Sequence, residues 1–185
     1  RATPGTISLG QGVVSYGPPA DAVAALPALM ADVQLNKYQA VSGYTPLVSE
    51  IEAKLARENG LVTGDRSAIM VTAGSNMAFL NAVLALADPG DEFILPMPYY
   101  FNQEMAIRMA GCAPVPVPVK PDWQLDVPAL AAAITPRTRA IVTVSPNNPT
   151  GAVYTEADLR AVNALCRDRG LYHFSDEAYE CFTYD

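Results

Sequence analysis

Two short polar stretches carry the groups best suited to chemistry. Ser145-Pro146-Asn147-Asn148-Pro149-Thr150-Gly151 follows the apolar run Ala140-Ile141-Val142-Thr143-Val144, and Ser175-Asp176-Glu177-Ala178-Tyr179 follows Leu171-Tyr172-His173-Phe174. Each places polar side chains where a buried strand ends and a loop begins. In open parallel sheets that edge is where ligands sit. An amide, a carboxylate and a phenol converging there suit a flat, polar, aromatic ligand with a ring nitrogen and a ring oxygen. Asp176 has the strongest physical argument, because a carboxylate beside a ring nitrogen favours that nitrogen's charged, protonated form. The plainer reading of an Asp after a strand is a helix cap or a surface charge, and Glu177 fits that description. Gly74-Ser75-Asn76 offers a third group. The free N–H groups of a helix start, with the helix dipole, form an anion site; read alone, the same residues are a plain N-cap. Pro98-Tyr99-Tyr100 follows another apolar run, where an aromatic ring is either a lid for a flat ligand or core packing.

The elements that must position these groups alternate. Residues 21–32 read as a short helix. Residues 46–59 read as another, with Thr45 as N-cap, Pro46 in the first turn and Gly60 past the end. Its Leu47, Ile51 and Leu55 share one face. Strands are expected at 68–72, 92–95, 140–144 and 171–175, and helices at 76–87, 101–110, 127–134 and 156–169. Residues 113–119 read as extended, and Pro114, Pro116 and Pro118 alternate there. Proline cannot donate to a ladder, so this strand belongs at a sheet edge. Strands alternating with helices imply an α/β fold, a mostly parallel sheet with helices on both sides.

A chain of 185 residues, half of them hydrophobic and 17% charged, has the composition of a folded globular protein. The net charge of −7 gives no basic footprint for nucleic acid. No apolar run approaches the roughly 20 residues of a membrane span, so no membrane partner is expected. Cys112, Cys166, Cys181 and the single His173 have no metal-binding spacing. They read as buried reduced thiols and a structural histidine, which suits a cytoplasmic protein.

Taken together, Leu9-Gly10-Gln11-Gly12, Tyr38 with Gly43, Gly74-Ser75-Asn76, Pro98-Tyr99-Tyr100, Asn148-Pro149-Thr150-Gly151, Asp176 and Tyr179 resemble, in order, the class I/II aminotransferases. These are fold-type I enzymes that use pyridoxal 5'-phosphate. The resemblance runs from Leu9 to the last residue. It implies that residues 1–45 are an N-terminal arm or small-domain segment, and that residues 46–185 are part of the large cofactor-binding domain. It implies phosphate binding by Gly74, Ser75 and Asn76, with Tyr100 stacked on the cofactor ring and Tyr99 left to packing. Asp176 would then face the ring nitrogen, and Asn148 and Tyr179 the ring oxygen. Gly12, with Asn148, would lie beside the substrate carboxylate. Tyr38 would reach the phosphate of a partner subunit in a homodimer; read alone, it is an ordinary half-buried tyrosine.

The implied activity is transfer of an amino group between an amino acid and a 2-oxo acid. A carbon–sulfur β-lyase on the same scaffold, and a non-catalytic regulatory domain, remain open at this point. Val13-Val14-Ser15-Tyr16 departs from the Pro-Asp or Phe-Pro-Asp commoner in relatives, which leaves substrate preference open. The family's Schiff-base lysine lies beyond the Asp-x-x-Tyr segment. The lysines here are Lys37, Lys54 and Lys120, none of them at that place. The chain therefore reads as a front portion of such an enzyme and is expected to be inactive by itself.

Overall fold

The computed structural model describes residues 3–7, 12, 14–64 and 67–184, in two compact units that divide between Ser67 and Ala68. Leu9, Gly10 and Gln11 lie outside the described residues.

The first unit holds two helices. Helix α1 (Ala20–Ala31) runs into a short 3-10 turn, Val33–Asn36, where the Asp32 carboxylate accepts from the Gln34 N–H at 2.8 Å. Helix α2 (Thr45–Lys54) continues as one wider turn, Leu55–Asn59, and stops at Gly60, whose φ of 65° is a left-handed cap. Tyr44, not Thr45, is the N-cap, and no side chain caps this end. Pro46 fits inside the first turn because its missing N–H would have had no helical partner.

In the second unit, helix α3 (Ser75–Leu86) precedes four parallel strands. They are β1 (Glu92–Met97), β2 (Ala113–Pro118), β3 (Thr138–Val144) and β4 (Tyr172–Asp176). Helices α4 (Phe101–Met109), α5 (Val127–Ala132) and α6 (Glu156–Arg169) form the crossovers. The spatial order is β2-β1-β3-β4, so the proline-alternating strand is an edge, as its missing donors require. Residues 68–72 form no strand. No described strand pairs with them, and an extended segment without a partner makes no ladder.

The β-period splits the core into two layers. Phe93, Leu95, Ala140 and Val142 face α3 and α4, packing with Val83 and Ile107. Ile94 and Ile141 face the other way, packing with Leu130 of α5 and Val162 and Cys166 of α6. Helices thus cover both faces, as expected for an α/β fold. The order in which strands are added switches sides between β1 and β3, and in parallel sheets ligands bind at the carboxyl ends beside such a switch point. Cys112 and Cys166 are buried, but Cys181 is exposed, unlike the thiol expected there. Among the described residues no helix is long and apolar enough to cross a membrane.

Candidate active site

The cavity that matters lies at the carboxyl end of β4. It measures about 360 Å³, within the usual span of small-molecule sites. Phe79, Ala82, Val142 and Phe174 make its apolar floor, and Ser75, Ser175, Asp176 and Glu177 bring polar groups to it. Phe174 is fixed edge-on between Phe79 and Phe93, with ring centroids 5.8 and 6.0 Å away.

Two groups expected to act together meet on this cavity although 101 positions separate them: Ser75 from the start of α3 and Asp176 from the end of β4. Gly74 is the N-cap of α3, with φ 83° and ψ 169°, a conformation glycine adopts without strain. No side chain caps this helix start. Its first-turn N–H groups, including those of Ser75 and Asn76, are therefore left for an anion. Asp176 is held at both oxygens. Gln103 Nε2 donates to Oδ2 at 2.9 Å, and the Ala178 N–H donates to Oδ1 at 3.1 Å. The Asp176 carbonyl accepts from the Ser145 N–H at 3.1 Å, tying the end of β4 to the loop after β3.

That loop is braced by Asn147, not Asn148. Asn147 is buried. Its Oδ1 accepts from Thr150 Oγ1 at 2.9 Å, and its Nδ2 donates to Tyr154 Oη at 3.3 Å. Burial pushes the Tyr154 phenol up to about 12, so it stays neutral. Asn148 next to it is half-buried, and no hydrogen bond to another described residue occupies its amide.

Within the second unit, Tyr99, Tyr100 and Tyr179 do not line the cavity. Tyr100 is the N-cap of α4; its hydroxyl accepts from Asn102 Nδ2 at 2.6 Å and its ring packs edge-on to Phe101. Tyr99 packs against the core, and its hydroxyl donates to Glu104 at 2.7 Å. Tyr179 lies in a turn, 41% exposed, with its ring against Phe182 at 6.1 Å. Gly12 and Tyr38 belong to the first unit; both are exposed, and Tyr38 fully so.

His173 lies on the opposite face of β4, half-buried, with Nε2 2.9 Å from Thr143 Oγ1. Burial lowers its pKa and favours the neutral ring. It lines a wider cleft of about 630 Å³ beside α6. The arginines of that cleft, Arg160 and Arg167, are paired with Glu156 and Asp168.

Gln103 is the residue that sequence reasoning missed. A signal was present: residues 103, 106, 107 and 110 share one helical face, and Gln103 is its polar member among Ala106, Ile107 and Ala110.

The family model for aminotransferase class I and II matches residues 4–185. The chain belongs to the class I and II aminotransferases. It is 42% identical over 151 residues to a probable aspartate/prephenate aminotransferase of Aquifex aeolicus, covering 80% of this chain and 38% of that protein. It is 35% identical to mouse kynurenine–oxoglutarate transaminase 1, over 97% of this chain and 45% of that one. The solved N-succinyldiaminopimelate aminotransferase of Mycobacterium tuberculosis superposes with a TM-score of 0.87 at 38% identity, over 96% of this chain and 47% of that one. The chain thus spans about half the length of the curated relatives it matches.

The donor set fits the cofactor of these aminotransferases. A helix start with free N–H groups suits a phosphate, a carboxylate suits a ring nitrogen, and the apolar floor between them suits a planar ring.

Proposed function

We propose that the whole protein moves an amino group between an amino acid and a 2-oxo acid with pyridoxal 5'-phosphate as cofactor. The observation that carries this reading is the meeting of Ser75 and Asp176 on one apolar-floored cavity, in a chain of this family. Bound there, the cofactor supplies a conjugated, protonated ring that accepts the electron pair released at the substrate Cα.

Each residue then has a task. Gly74, Ser75 and Asn76 hold the phosphate through backbone N–H groups and the Ser75 hydroxyl. Asp176 keeps the ring nitrogen protonated. From the resemblance, Tyr100 would stack on the ring and Asn148 and Tyr179 would donate to its oxygen; Tyr100 and Tyr179 do not line this cavity, so both would have to turn towards a bound ring. Asn148, with Gly12, orients the substrate carboxylate. The apolar floor of Phe79, Val142 and Phe174 keeps water from the ring. None of Lys37, Lys54 and Lys120 stands where the family's Schiff-base lysine is expected, and these 185 residues by themselves should show no amino transfer. Residues 1–45 serve as the arm or small-domain segment, and residues 46–185 as part of the cofactor domain.

The assembly is a homodimer in which Tyr38, fully exposed in the single chain, donates to the partner's phosphate. Such a bond to a charged group is worth about 1.5–3 kcal/mol. Tyr38→Phe should weaken cofactor binding about tenfold with the melting midpoint unchanged; unchanged affinity would remove Tyr38 from the site. A cytoplasmic location suits its three unpaired thiols.

The deciding experiment gives the complete protein a ¹⁵N-labelled amino acid and an unlabelled 2-oxo acid. Appearance of the label in the new amino acid is the expected result. Release of pyruvate and ammonia instead would assign a carbon–sulfur lyase, and neither product would assign a non-catalytic role.

A further inference from the structure

Gln103 is 3% exposed, yet it spends only one end of its amide. Nε2 donates to Asp176 Oδ2 at 2.9 Å across 73 positions of sequence, while Oε1 is buried with no described hydrogen-bond partner. The orientation is forced. A flipped amide would set its carbonyl against the carboxylate oxygen and leave the NH2 without an acceptor.

A methionine of similar volume would fill this place beside Ala106 and Ile107 without an orphaned carbonyl. Packing therefore does not account for an amide here. Its bond to Asp176 does, because it ties the first turn of α4, the helix that follows β1, to the end of β4, which lies two strands from β1 in the sheet. The donor is also neutral. A cation in its place would offset the charge of Asp176, and a second carboxylate would repel it. An amide fixes the carboxylate while leaving its charge for the cavity.

We propose that Gln103 is a positioning residue: it sets the direction in which Asp176 presents its charge to the cofactor's ring nitrogen. The proposal rests on the reading of Asp176 given above. With one donor on each oxygen, the carboxylate cannot swing away from the cavity, and each oxygen keeps a lone pair for a further donor.

The test compares binding of pyridoxal 5'-phosphate with binding of its 1-deaza analogue, which carries C–H in place of the ring nitrogen. The complete protein is used, as wild type, Gln103→Met and Gln103→His. Wild type should prefer the nitrogen-containing ring. Gln103→Met should cut that preference about tenfold, as loss of one hydrogen bond to a charged group predicts, and leave the deaza affinity unchanged. The ¹⁵N resonance of the bound ring should move towards the neutral form. Gln103→His, which keeps an N–H donor, should restore both readings. A preference within twofold of wild type in Gln103→Met would overturn the proposal. If Gln103→Met fails to fold, a folded Gln103→His that has lost the preference overturns it, and one that keeps it supports it. If wild type itself shows no preference, the role given to Asp176 falls first, and this proposal with it.

Discussion

The two ends of the sheet treat charge in opposite ways. At the amino end, Glu92 takes a short hydrogen bond from the Thr135 hydroxyl and two from Arg137, at 3.0 and 2.6 Å. Asp91 beside it takes two from Arg139, at 3.0 and 2.8 Å, and one from the Asp88 N–H. Each carboxylate there meets a cation, and the groups lock the strand starts together. At the carboxyl end, Asp176 meets no cation among the described residues, only an amide and a backbone N–H. Gln103 keeps an orphaned oxygen, and the start of α3 keeps uncapped N–H groups. A polar group with all its partners in the fold serves the fold. One held in place but left with spare capacity is prepared for something that arrives later.

The largest effect expected from breaking this contrast is on turnover. Asp176→Ala in the complete protein should lower steady-state amino transfer by about 100-fold or more, the scale of removing one preorganised electrostatic group. Its cost in stability should be smaller than that of breaking the amino-end cluster. Near-normal turnover, with a large drop in melting midpoint, would make Asp176 a structural group like Glu92.

The amino end should answer the other way. Glu92 has a side chain only 8% exposed, and Glu92→Gln leaves Arg137 without its anion. The expected loss is roughly 1–3 kcal/mol in chemical denaturation, with cofactor affinity unchanged. The pH dependence has a definite sign. The Thr135 hydroxyl, then the Arg137 guanidinium, hold the Glu92 carboxyl below its ordinary value. The Asp88 N–H, then Arg139, do the same for Asp91. Both contributions are complete above the unfolded-state values near about 4 and fade as pH falls through the lower folded-state values. Melting midpoints should therefore drop steeply on the acid side of about pH 4, and Glu92→Gln should flatten that slope. An unchanged slope would mean the cluster does not act through the Glu92 charge.

Local chemistry explains which parts were legible in the sequence. Helix α6, expected at 156–169, lies there, bounded by the Thr155 hydroxyl accepting from the Asp158 N–H and by Gly170 at φ 67°; both stops are local. The edge position of β2 follows from three prolines. Asp176 and Ser75, each where a strand or helix meets a loop, line the same cavity. What failed was non-local. Residues 68–72 have the composition of a strand, but a strand exists only with a partner, and composition does not name one. Thr45 looked like a cap because its side chain is right, yet the helix already includes it. Gln103 was passed over because its importance lies in a partner 73 positions away.

The smallest effect should come from a charge pair belonging to neither end. Arg160 and Glu156 lie one turn apart on α6, with Nη2 2.7 Å from Oε1 and side chains 78% and 77% exposed. Water screens such a pair, and two long side chains lose freedom in forming it, so an exposed i,i+4 bridge is worth about 0.3–0.5 kcal/mol. Arg160→Ala should change stability by no more than that, and the difference should shrink further in high salt. The same variant separates the two clefts. Arg160 lines the wider one beside His173, on the face of the sheet opposite Asp176. If the reaction belongs to the Asp176 cavity, Arg160→Ala leaves turnover and cofactor affinity as they were. A tenfold loss in either would move the site to the α6 face, and the contrast between the two ends of the sheet would no longer locate it.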